Sequence, residues 1–107
     1  MNFEFSDEQN MLREQAGAFL RDNCSMSVVR NILTSDEPFD RGLWQKIVEM
    51  GWTAPAIPEQ YGGLGLSYLE LCVIAEELGR VVAPVPFSSS VYLATEAVLV
   101  YGSEEQK

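Results

Sequence analysis

Four groups of residues in this chain have types and spacings that invite a chemical reading. The first is Gly62-Gly63-Leu64-Gly65, just ahead of a helix start, where glycines and free amides can cradle a phosphate. A dinucleotide fingerprint counted from Gly63 needs a third glycine where the chain has Tyr68, and no strand signal precedes it. A shaped turn is the better reading. The second group is the acid pair Glu76-Glu77, but adjacent helical residues point about 100° apart and converge poorly on one substrate atom. A solvated or salt-bridged helix face accounts for them more simply. The third is Ser88-Ser89-Ser90, for which the chain holds no histidine to act as base, so helix capping is their default role. The fourth is Cys24 and Cys72, which form neither a close pair nor a metal-ligand spacing. They read as small apolar residues of a reducing compartment. No catalytic residue and no metal ligand is assigned. Trp44, Trp52, Tyr61, Phe87 and Tyr92 could line an apolar pocket, although packing explains each as readily.

The elements that must position these groups are helical. Ser6 and Gln9 spell a capping box, and Leu12, Ala16, Phe19 and Leu20 share one face of the helix behind it, about four turns long. A shorter helix follows Ser25 or Ser27, with Val28, Val29, Ile32 and Leu33 as its apolar stripe, and the Ser35-Asp36-Glu37-Pro38 run ends it. Asp40 caps a third helix whose Leu43, Trp44, Ile47 and Met50 recur at helical steps before Gly51 stops it. The fourth is capped by Ser67 and Glu70, stapled by Leu66 and Leu71, and runs to about Gly79. Apolar on most of its circumference, it should be the most buried helix.

Between the third and fourth helices lies Gly51 to Gly65, an irregular stretch with prolines at 55 and 58 and glycines at 62, 63 and 65. Such residues restrict and specify a backbone path, so this segment is expected to be ordered. Arg80 to Phe87 carries Pro84 and Pro86 and reads as an extended loop. A fifth helix, capped within Ser88 to Ser90 and ended by Gly102, has Val91, Leu93, Ala94, Ala97, Val98 and Tyr101 as apolar positions. Ser103-Glu104-Glu105-Gln106 then repeats the capping-box pattern one residue before the chain stops at Lys107, which suggests the front of a longer chain.

The 107 residues, 47% of them hydrophobic, suffice for one domain with one core that sheds roughly two-thirds of its unfolded surface. With 16 acidic against 7 basic residues, the net charge of -9 repels nucleic acid and anionic membrane alike. It also leaves no cationic cluster for a polyphosphate. Met1-Asn2-Phe3-Glu4 does not read as a secretory leader, and no uncharged run reaches the ~18 to 20 residues of a membrane span. The expectation is a soluble, cytoplasmic protein.

Leu43 to Gly65 contains Leu-Trp-x-x-Ile-x-x-Met-Gly-Trp followed by Ala54-Pro55-Ala56-Ile57-Pro58-Glu59-Gln60-Tyr61-Gly62-Gly63-Leu64-Gly65. This run resembles the N-terminal domain of acyl-CoA dehydrogenases. Glu76-Glu77-Leu78-Gly79-Arg80, Tyr101 to Lys107 and the opening Ser6-Asp7-Glu8-Gln9 match in order, so the resemblance covers residues 1–107. It implies an orthogonal bundle of five to six helices that precedes a middle β domain and a C-terminal helical domain.

The resemblance further implies a flavoprotein of fatty-acid degradation in which FAD is held mainly by the later domains. A glutamate of the C-terminal bundle would remove the α-proton of an acyl-CoA, and hydride from the β-carbon would pass to the flavin. By the same resemblance, the wall of the acyl pocket falls on Pro86, Phe87, Ser89, Ser90 and Leu93. The Ala83-Pro84-Val85-Pro86 run is similar to bacterial members that take branched or cyclic, including steroid-derived, acyl groups, some built from two different subunits. Partners are then the acyl-CoA substrate and the remaining domains or a partner subunit, in a homo- or hetero-oligomer, with the 107-residue piece inactive alone. Two other readings are a non-catalytic helical partner of such an oligomer and an unrelated acidic helical scaffold.

Overall fold

Local capping chemistry starts three of the helices among the described residues. Ser6 Oγ accepts from the Gln9 amide at 3.2 Å while Gln9 Oε1 accepts from the Ser6 amide at 3.0 Å, and α1 (Asp7–Asn23) follows. Ser25 stands at the N-cap position of α2 (Met26–Leu33), but its hydroxyl pairs with that of Ser27 at 2.8 Å and makes no capping bond. Asp40 Oδ1 accepts from the Leu43 amide at 2.9 Å ahead of α3 (Arg41–Glu49). The Ser67 and Glu70 capping box opens α4 (Tyr68–Arg80). This computed structural model describes residues 3–107, and the reading of Met1 and Asn2 as lacking a leader lies outside them. The fold is all-α, with no strand among the described residues.

The core forms where α1, α3 and α4 meet. Leu20, Ile47, Val73 and Ile74 lose essentially all contact with solvent, and Ala16, Leu43, Leu71 and Leu78 join them. The most extensive pairing is α1 with α4. Gln9 Nε2 donates to Glu70 Oε1 at 3.3 Å near their starts, and Arg13 Nη2 meets Glu76 Oε2 at 2.8 Å further along, so the two helices run in the same direction. Glu77 departs from the expected polar face. It is buried on α4, held by Arg80 Nε at 3.4 Å with Arg13 Nε at 3.9 Å, so arginines from two helices offset the cost of burying its charge. Glu76 bridges the same two arginines from a half-exposed position.

Two ends of the expected apolar stripes lie outside the core. Leu33 is 77% exposed and Met50 43%, because α2 stops after little more than two turns and Met50 is already the cap of α3. α4 likewise runs one residue past Gly79, to Arg80.

The irregular stretch from Gly51 to Gly65 is stitched to itself. The amides of Leu64, Gly65 and Leu66 donate to the carbonyls of Ala54, Ile57 and Pro55 at 3.0, 2.9 and 2.7 Å. Glu59–Tyr61 form one 3₁₀ turn inside it. At Gly63 the strand of chain passes so close to Ile57 that a Cβ would sit 2.1 Å from the Ile57 carbonyl oxygen, so only glycine fits. Trp52 and Pro55 point inward, and Trp52 stands edge-on to Phe19 with centroids 5.3 Å apart. The segment is thus part of the core and sets where α4 begins.

The last helix differs most from expectation. A π-helical stretch, Ser88–Thr95, runs directly into α5 (Glu96–Tyr101). The serines do not cap it: Ser88 to Ser90 lie inside the π-helix, and no side chain caps its start. Of the expected stripe only Val91 is buried, while Leu93, Ala94, Ala97, Val98 and Tyr101 are exposed. Phe87 and Val91 are buried and Thr95 and Leu99 half-buried, a strict four-residue repeat on the less exposed side. In a uniform α-helix each such step overshoots a full turn by about 40°, and the wider π turn cancels that drift.

After α5, Ser103 and Gln106 form the expected reciprocal capping box, with bonds of 2.9 and 3.2 Å. The body measures 40 × 37 × 21 Å, and its thin dimension is about two helix diameters.

Candidate functional site

The loop before the last helix is tied down at both ends. Ala83 N–H donates to the Leu78 carbonyl at 3.0 Å, and the Pro84 carbonyl accepts from Asp40 N–H at 2.9 Å, linking this loop to the start of α3. Val82, a β-branched residue 61% exposed, is held at φ 52° to make the corner. Fixed in this way, Val85 and Pro86 deliver the chain into the π-helix at a set position.

The structure divides the five expected pocket residues. Ser89 and the 68%-exposed Leu93 lie one turn apart on the outer face, and Ser89 Oγ donates weakly to the Pro86 carbonyl at 3.4 Å. Pro86 is half-buried beside them. Ser90 is turned to the flank, where a concavity of ≈ 310 Å³ is bounded by Ile57, Tyr61, Ala94, Val98 and Leu99. Phe87 faces the other way. It is 4% exposed, edge-on to Trp44 at 6.4 Å and to Tyr92 at 5.5 Å, and belongs to the core.

Sequence reasoning missed a second concavity, of ≈ 400 Å³, between α4 and the last helix. Tyr68, Leu71, Cys72, Ala75, Val91 and Tyr92 line it, and Glu96 stands at its edge. Tyr68 Oη donates to both Glu96 carboxylate oxygens at 3.0 Å, and this bond together with the Glu96 charge raises the phenol above its ordinary range. Burial raises Tyr92, with a contribution from Cys72. Tyr68, Leu71, Cys72 and Ala75 follow a helical i, i+3, i+4, i+7 pattern that could have flagged this face, but it was absorbed into the expectation of a buried helix.

None of this builds a phosphate cradle. The amides of residues 62 to 66 all donate to carbonyls of the same segment, at 2.7 to 3.2 Å, so none is left for an anion. This glycine-rich segment therefore does not fit the task of holding the phosphates of a dinucleotide or flavin. Among the described residues no helix is long and apolar enough to cross a membrane. What the last helix and α4 supply is shape: an apolar concavity beside Cys72, a mixed one beside Ser90 and Lys107, and a greasy outer face.

Fold and site together define an all-α domain with concavities beside its last helix. Residues 6–107 match the model of the acyl-CoA dehydrogenase N-terminal domain, and the chain belongs to that family. It is 35% identical to the acyl-CoA dehydrogenase IpdE2 of Mycolicibacterium smegmatis, over 94% of this chain and 32% of that protein. A chain of the ChsE4-ChsE5 complex from Mycobacterium tuberculosis superposes with a TM-score of 0.86 at 31% identity, covering 98% of this chain and 29% of the other. The Tcur3481-Tcur3483 steroid ACAD gives a TM-score of 0.82 at 35% identity, with 94% and 27% covered. The chain thus spans about a third or less of the length of these relatives.

Proposed function

We propose that this chain is the acyl-pocket domain of a flavin-dependent acyl-CoA dehydrogenase, an oxidoreductase that introduces a double bond between the α- and β-carbons of an acyl-CoA thioester. The observation that carries the reading is the uncovered apolar face of the last helix, where Leu93 is 68% exposed, Val100 63% and Tyr101 89%. A monomer of this size is expected to show about 6,000 Å² of surface, whereas this chain shows 7132 Å². The excess is of the order of what one partner buries in a standard protein interface, ~800 Å². This surface suits a domain covered by other protein and by substrate.

In this reading residues 1–107 are the N-terminal helical domain. Ser89 and Leu93 face the acyl chain, Pro86 and Ser90 flank it, and Phe87 supports the wall from behind through Trp44 and Tyr92. The domain shapes the pocket and keeps water from the reacting carbons, while FAD, which supplies the hydride acceptor, is held by parts beyond it. By itself the 107-residue piece is inactive. The fixed loop at Pro84 and Pro86 and the likeness to a steroid ACAD support a bulky, branched or cyclic acyl group. Lipid degradation in the cytoplasm is the corresponding role. The likeness to a chain of a two-protein complex favours assembly with a second subunit and also supports the runner-up reading, a non-catalytic helical partner in a hetero-oligomer.

The test is the product of the complete reading frame that contains these residues. It is expected to purify yellow and to bleach anaerobically when an acyl-CoA is added. A colourless product that binds another dehydrogenase subunit would establish the partner reading instead. Leu93→Ala is then expected to reorder acyl-CoA preference, and an unchanged order would remove Leu93 from the pocket. Phe87 is a poor probe of specificity because its truncation would open a cavity in the core.

A further inference from the structure

The π-helical stretch Ser88–Thr95 has a specific polar bond at its end. Thr95 Oγ1 donates to the Ser90 carbonyl at 2.8 Å, five residues back and partly buried. A threonine in an α-helix reaches the carbonyl three or four residues back, so a five-residue reach belongs to the widened turn. The next amide, that of Glu96, already turns to the Leu93 carbonyl, and α5 begins there. Thr95 therefore stands at the junction between the two helical registers, with its hydroxyl adding a second donor to the carbonyl that the wide turn depends on.

The register has a consequence for the outer face. Ser89, Leu93, Ala97 and Tyr101, at four-residue steps, are all exposed, away from the buried Phe87 and Val91 and the half-buried Thr95 and Leu99. Long π stretches are rare and geometrically poorer than α, so a side-chain bond that favours one register decides which residues share a face. Relaxed to α over the same residues, Leu93 would be turned by about 40° and Ser89 by about 80° relative to Ala97. That rotation would move Ser89, and to a lesser degree Leu93, off the outer face toward a flank.

We propose that Thr95 is a positioning residue of the acyl pocket: its hydroxyl bond to the Ser90 carbonyl holds the π register that aligns Ser89 and Leu93 with Ala97 and Tyr101 as one wall. The proposal rests on the acyl-pocket reading given above. Thr95 itself is half-buried at the edge of the flank concavity beside Ser90, away from the outer face, and acts on Ser89 and Leu93 through the backbone it holds.

The experiment compares Thr95→Val, Thr95→Cys and Thr95→Ser in the complete flavoprotein. Two quantities are measured. One is the hydrogen-bond register of residues 88–95, from a crystal structure of each variant. The other is the ratio of kcat/KM for a ring-bearing acyl-CoA to that for a straight-chain acyl-CoA of equal carbon number. Thr95→Val, isosteric but without a donor, is expected to relax the stretch to α and shift the ratio about tenfold, the scale of apolar-pocket discrimination. Thr95→Ser restores both to within twofold, and Thr95→Cys, a weak donor, falls between. A π register that persists in Thr95→Val, or a loss that serine does not rescue, overturns the role of Thr95. Should Thr95→Val fail to fold, a wild-type ratio in a Thr95→Cys protein of α register does the same. A register that follows the hydroxyl while the ratio stays fixed overturns the acyl-pocket reading on which the proposal stands.

Discussion

Glycine 63 and glycine 79 should respond to the same substitution with opposite signs. At Gly63 an added Cβ would lie 2.1 Å from the Ile57 carbonyl oxygen, 2.4 Å from its Cβ and 2.5 Å from its carbonyl carbon, all atoms without a flexible tail to move aside. The backbone must shift, and that Ile57 carbonyl also accepts from the Gly65 amide at 2.9 Å. Overpacking costs about 1–3 kcal/mol and a weakened hydrogen bond about 1, against a gain of about 0.4–1 from a stiffer unfolded chain. The net cost of Gly63→Ala is then about 2–3 kcal/mol. At Gly79, in the last turn of α4, nothing lies within 4 Å of an added Cβ. Helix propensity there favours alanine by about 0.5–1 kcal/mol. With a urea slope of about 1–1.5 kcal/mol/M for a chain this short, Gly63→Ala lowers the unfolding midpoint by about 2 M and Gly79→Ala raises it by about 0.5 M. Urea titrations followed by tryptophan fluorescence read both, since Trp52 sits in the affected segment. Equal midpoints for Gly63→Ala and the parent chain would refute the view that this segment's path is dictated by close backbone approach.

Further outcomes follow from single residues. Cys72 is exposed and Cys24 buried, with burial raising the Cys24 thiol, so a thiol reagent should label Cys72 in the native 107-residue chain and Cys24 only on unfolding; mass spectrometry of native-labelled protein carrying both adducts would contradict this. Glu70 is held below the ordinary carboxylate range, mainly by its bond from the Ser67 hydroxyl. Its contribution is complete above the unfolded value of about 4.3 and is lost as pH falls through the lower folded value. Glu70→Gln, which keeps the cap, should therefore show shallower acid destabilisation, and parallel stability curves below neutral pH would count against it. Val82 pays for its φ of 52°, so Val82→Asn should add about 1 kcal/mol, read as a rise of about 4 °C in Tm. A fall in Tm would show that the corner is not strained.

The sequence by itself determined the helical class, the starts of the first four helices and the family. Ser6 with Gln9, Asp40 with Leu43, Ser67 with Glu70 and Ser103 with Gln106 each close a bond across three residues, and such bonds depend on nothing distant. The ordered path from Gly51 to Gly65 was legible for the same reason, because its bonds and its close approach at Gly63 stay within the segment. Tertiary structure decided the rest. Glu77 is buried because Arg13 reaches it from another helix, and the concavity beside Cys72 exists because Tyr68 and Glu96 meet across 28 residues. The less exposed side of the last helix escaped a 3.6-residue reading because a π register, visible only once Thr95 meets the Ser90 carbonyl, sets Phe87, Val91, Thr95 and Leu99 in line. Caps are set by neighbours in the chain, whereas burial and facing are set by what folds against them.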